Sequence, residues 1–173
     1  MPAPTVAFRQ PYLRFLPEFL FRDDGPRLPY ALKAWVLALL PSLVLSSALF
    51  LISPNAKGPE FAASGVMLAF LLVVFAPVVE TLLMTPPLLL LARLLGPGPA
   101  VVASAIGWGV LHSLAAPVWG LIVWWSFLIL SIALLNWRSR GLVRAMLIVT
   151  FIHALQNSVP AALLMLVEPT ASG

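Results

Sequence analysis

From Leu94 to Trp137 the chain runs for 44 residues without a Lys, Arg, Asp or Glu. A bilayer core is crossed by roughly 20 apolar residues, so this stretch is too long for one span. With Ala116-Pro117 as the break, it is expected to form two helices, roughly 100–115 and 118–137. The other apolar runs read in the same way. No charge falls between Lys33 and Lys57, and Ala34 to Ser53 is the first span. Residues 65–95 form a second, kinked by Pro77 and the Pro86-Pro87 pair, and the run between Arg144 and Glu168 is the last. Of the 173 residues 61% are hydrophobic and 9% charged, where a soluble domain carries about 25% charged. The fold class expected is all-α, a polytopic membrane bundle of about five helices.

Orientation follows from the basic residues. With the N-terminus cytoplasmic, Arg9, Arg14, Arg22, Arg27, Lys33, Arg93, Arg138, Arg140 and Arg144 share the inner side and only Lys57 lies outside. The formal charge of +4 is thereby explained by topology, and no nucleic-acid partner is expected. The first 27 residues lack an uninterrupted apolar segment, so they do not read as a cleavable signal peptide. With Phe8, Tyr12, Phe15, Phe19 and Phe21 among charges and prolines, they are expected to lie on the inner leaflet. Trp119 and Trp137 read as interfacial belt residues, and Trp124 and Trp125 as lipid-facing or packing. Ala103, Ser104 and Gly107 are expected to bring the third helix close to its neighbours. There is no cysteine, which excludes disulfides, thiolate metal sites and thiol nucleophiles.

In so apolar a chain the informative residues are the ionisable ones inside spans, because each costs several kcal/mol in hydrocarbon unless it meets a partner or a cavity. They are Glu80, His112 and His153, on the second, third and fifth helices. Glu80 is thirteen residues from Arg93, His112 twelve from Ala100 and His153 thirteen from Arg140. At about 1.5 Å per residue all three lie roughly 18–20 Å above the inner boundary, a single layer in which they can meet. Asn157 follows His153 by four residues and shares its helix face, as Trp108 precedes His112. Any one of these has a plain alternative: a buried histidine can be a packing element, and Asn157 can be interhelical glue.

The chain holds no serine–histidine pair in a Gly-rich setting, no aspartyl dyad and no His-Glu-x-x-His motif. A carboxylate beside an imidazole can take a proton from water, and an imidazole beside a carboxamide can hold the oxyanion formed on a carbonyl. Glu80, His112, His153 and Asn157 therefore suit amide hydrolysis without a cofactor. Glu80, His112 and His153 also make a zinc set of two imidazoles and one carboxylate. Asn157 favours the metal-free route, because an amide is a poor zinc ligand and a good oxyanion donor.

The segment from Ala76-Pro77-Val78-Val79-Glu80 to Thr85, then Trp108-x-x-x-His112, then His153-x-x-x-Asn157, resembles the three motifs of the CPBP family, the CAAX prenyl protease and bacteriocin-processing intramembrane proteases. The resemblance implies a four-helix core over residues 65–167. Residues 1–64 would precede it as an interfacial segment and first span, and 168–173 would follow as a short tail. It also implies roles: Glu80 as base, His112 assisting, and His153 with Asn157 at the oxyanion. Thr81 and Thr85 stand where the family has a glutamate and an arginine, which reads as a supporting ion pair replaced by two hydroxyls. The expected function is an endopeptidase in the bacterial cytoplasmic membrane, acting on a membrane-associated peptide or protein. The alternatives are a non-enzymatic protein of the same fold, such as an immunity or assembly factor, and a proton-coupled carrier. Against the carrier stands the lack of repeated halves.

Overall fold

In lipid a backbone N–H or C=O finds no water, so each apolar run must satisfy itself as a helix. The structure, a computed structural model, describes residues 11–167. Its long helices are α1 (Arg27–Ile52), α2 (Gly65–Leu95), α3 (Pro97–Ala115), α4 (Trp119–Trp137) and α5 (Leu142–Val167). All five are long and apolar enough to cross a membrane, and no strand occurs among the described residues. The chain is a multi-pass, all-α membrane protein. The expectations for Phe8, Arg9 and the tail at 168–173 fall outside the described residues.

The connections are short where the sequence punctuates. Gly96 alone joins α2 to α3, with φ +83°, a conformation that favours glycine, and Pro97 opens α3. Ala116, Pro117 and Val118 turn α3 into α4, at the expected break. One boundary differs: α1 begins at Arg27 rather than Ala34, because Arg27 and Lys33 continue the helix beyond its apolar part.

Helices that are apolar all round carry no stripe to mark their inner face, so small and polar residues decide the packing. On α1 the buried Ala34, Ala38 and Ser42 recur every fourth residue. Ser42 Oγ donates to the Ile122 carbonyl at 3.1 Å and lies 3.0 Å from Ser126 Oγ, fastening α1 to α4. Pro41 has no N–H for the Leu37 carbonyl one turn before it. That carbonyl instead accepts from Trp125 Nε1 at 2.8 Å.

α4 is the centre of the bundle, and every residue from Ser126 to Trp137 is buried. Ser131 Oγ donates to Ser104 Oγ on α3 at 2.9 Å. A Cβ on Gly109 would lie 3.1 Å from Trp124 Cβ, and one on Gly120 would run into the Gly109 carbonyl and Ser113 Oγ. The close approach of α3 is thus made at Gly109 and Gly120; Gly107, expected to provide it, is exposed with nothing near its Cβ position.

Two further expectations are corrected. Trp137 is not an interfacial belt residue: it is 2% exposed and packs edge-on against Tyr30 at 5.2 Å. The N-terminal segment does not simply lie on the leaflet. Leu13, Leu16, Leu20 and Phe21 are buried, while Tyr12 and Phe15 stay exposed. Asn136 Nδ2 donates to the Arg22 carbonyl at 2.8 Å, Tyr30 Oη to the Leu20 carbonyl at 3.1 Å, and Ser139 Oγ to Asp23. Polar groups at the ends of α1 and α4 capture the segment's backbone and draw its leucines inward. The exposed pair of Arg22 and Asp24 adds little to that hold.

Candidate active site

Three helices bring the intramembrane ionisable groups together. Glu80 Oε2 lies 3.6 Å from His153 Nε2 and 3.9 Å from His112 Nε2. The layer estimated by counting residues along separate helices is therefore a contact. Both distances exceed a direct hydrogen bond, and Oε2 is buried without a hydrogen-bond partner among the described residues. The Glu80 side chain as a whole keeps 22% of its surface accessible, while Oε2, on the imidazole side, is buried.

His112 is held in one tautomer. Its Nδ1 lies 2.9 Å from the Trp108 carbonyl, and a carbonyl can only accept, so Nδ1 carries the proton. In the neutral ring Nε2 then presents its lone pair to Glu80, and a proton or a polarised water is needed to join the two. Trp108, expected to wall the pocket, does so with its ring 5.9 Å from the imidazole, and it supplies this carbonyl as well.

The aromatic wall extends further than the sequence suggested. Phe127 of α4 stacks on Trp108 at 4.7 Å and contacts both histidines, His112 at 5.2 Å and His153 at 5.4 Å. Trp119, part-buried at the end of its span, also packs into the site: its ring meets His112 edge-on at 4.7 Å and Phe61 at 6.3 Å. Neither role was legible: Phe127 sits in an unbroken apolar run, and a tryptophan at a span's end has an ordinary interfacial explanation.

Asn157 is engaged elsewhere. Its Nδ2 donates to the Leu72 carbonyl at 3.0 Å. Leu71–Phe75 is a π-helical turn, in which the Ala76 N–H bonds the Leu71 carbonyl. In that register the Leu72 carbonyl falls to residue 77, a proline without an N–H, and Asn157 replaces the missing donor. The irregularity expected of the second helix is this turn; Pro86 and Pro87 lie within continuous α-helix.

The two threonines at the positions of the family's ion pair make no bond to each other. Thr81 and Thr85 are buried, but Thr85 Oγ1 donates to the Thr81 carbonyl at 2.7 Å and Thr81 Oγ1 has no partner among the described residues. The two hydroxyls do not bond each other and do not reproduce an ion pair between side chains. Comparison with protein-family models, curated proteins and solved structures finds no match to this chain.

Proposed function

We propose that the chain is an intramembrane endopeptidase of the CPBP type, hydrolysing a peptide bond of a membrane-associated substrate. The observation that carries the reading is one buried carboxylate oxygen, without a hydrogen-bond partner among the described residues, facing two imidazole nitrogens at 3.6 and 3.9 Å, the three groups coming from three separate helices. Glu80 takes a proton from water as its oxygen attacks the carbonyl carbon. His112, anchored through Nδ1, orients the water through Nε2. His153, with the second N–H of Asn157, stabilises the oxyanion. Collapse breaks the C–N bond, and the proton held by Glu80 passes to the departing amine. With zinc bound, Glu80, His112 and His153 would be the ligands. On this reading the protein sits in a bacterial cytoplasmic membrane with its N-terminus inside.

One observation favours the second reading, a non-enzymatic protein of this fold: Asn157 already has a structural task at Leu72. The test compares reconstituted wild type with Glu80→Gln on quenched membrane-anchored peptides, with and without a chelator. Cleavage lost in the variant and indifferent to chelator supports the glutamate mechanism. Loss in both moves the chemistry to zinc, and cleavage retained by Glu80→Gln overturns the assignment of Glu80.

A further inference from the structure

α1 and α5 both start at the basic end of the bundle and leave between them a groove of about 610 Å³. Its mouth carries Arg27, Arg140 and Arg144, and its apolar lining includes Leu28, Leu147 and Phe151. Arg140 is 3.4 Å from Asp23, whereas Arg27 and Arg144 have no carboxylate partner among the described residues. From Arg144 to Phe151 the lining runs along one helix face for about 10 Å. Leu28 and Leu147 are 59% and 67% exposed, so the groove opens toward the lipid.

Two arginine side chains with no carboxylate partner among the described residues, at the head of a greasy groove on a protein surrounded by lipid, are complementary to one kind of molecule. We propose that this groove is a binding site for an anionic phospholipid, its phosphate held by Arg27 and Arg144 and an acyl chain lying along Leu147 and Phe151. A neutral phospholipid offers the same chain without the net charge, so the arginines confer the selectivity. A basic pocket between spans is the usual physical form of such a site, each arginine that holds the phosphate contributing about fivefold to the preference. The inference does not depend on the protease reading, since the groove does not include Glu80, His112 or His153.

The experiment is native mass spectrometry of the full chain released from nanodiscs of equal phosphatidylglycerol and phosphatidylcholine. Wild type should retain phosphatidylglycerol, and Arg27→Gln with Arg144→Gln should lower that preference about thirtyfold. Arg93→Gln, a charge loss on α2 outside the groove, should leave it unchanged. If the double variant fails to fold, Leu147→Trp narrows the apolar channel with the arginines intact and should lower lipid occupancy. An unchanged preference in the double variant overturns the proposal, as does an equal loss in Arg93→Gln or unaltered occupancy in Leu147→Trp. Displacement of the bound species by inorganic phosphate, or retention of a second copy of the chain in its place, also overturns it.

Discussion

Two prolines in this bundle pose the same problem and receive the same kind of answer. Pro41 leaves the Leu37 carbonyl of α1 without a donor, and Trp125 of α4 supplies one. Pro77, after a π-helical turn, leaves the Leu72 carbonyl of α2 without a donor, and Asn157 of α5 supplies it. The first repair involves no ionisable group. The second is made one turn along α5 from His153, by a residue with a proposed chemical role. The contrast teaches that a conspicuous polar residue near a site can have a complete structural explanation, and that a matched structural control exists elsewhere in the same molecule.

Substitutions can break the comparison. The largest effect is expected on cleavage: Asn157→Leu should lower the rate about 10²–10³-fold, the usual cost of one oxyanion donor. Trp125→Phe should leave the rate of the folded fraction unchanged. If both variants lose only stability, Asn157 is interhelical glue and its catalytic role fails. A smaller effect tests the close packing of α3 against α4. Gly120→Ala forces a Cβ against the Gly109 carbonyl and should destabilise the α3–α4 hairpin by about 1–3 kcal/mol, read as a lower midpoint in thermal unfolding in detergent.

The smallest effects separate the two repairs most finely. Trp125→Phe and Asn157→Leu should each cost about 0.6–2 kcal/mol of stability, the range for hydrogen bonds between membrane helices. Pro41→Ala returns an N–H to the Leu37 carbonyl, and Pro77→Ala returns one to the Leu72 carbonyl. In those backgrounds the costs should shrink, giving couplings of about 1 kcal/mol in double-mutant cycles. Additivity at either proline would show that the side chain is not replacing the missing backbone donor.

The same pair shows what the sequence could and could not reveal. Span number, the Ala116-Pro117 break and the polar layer were legible because charge-free length and helical rise are properties of single segments. Glu80, His112 and His153 could be placed at one depth from separate markers, and they are in contact. The partner of Asn157 was not legible, because it depends on a π-helical turn that shifts the carbonyl register by one residue. The centrality of α4 was hidden too: with lipid as solvent, a buried helix and a lipid-facing one are equally apolar. The signal available was the polar trio Ser126, Ser131 and Asn136, which reach Ser42, Ser104 and the Arg22 carbonyl. The packing of the N-terminal segment is hidden for a related reason. Its aromatic and basic residues fit an interface, while two of the groups that draw it inward, Asn136 and Ser139, are far along the chain.

The central claim is that Glu80 and the imidazoles beside it act as one chemical unit. Its most direct test is the cleavage rate of Glu80→Gln, His153→Gln and the double variant on the same reconstituted peptides, with folding checked by thermal unfolding. Groups that act as a unit are strongly non-additive, so each single variant should lose about 10²–10⁴-fold and the double variant little more. Losses that multiply, or a His153→Gln that cleaves at the wild-type rate, would contradict the account.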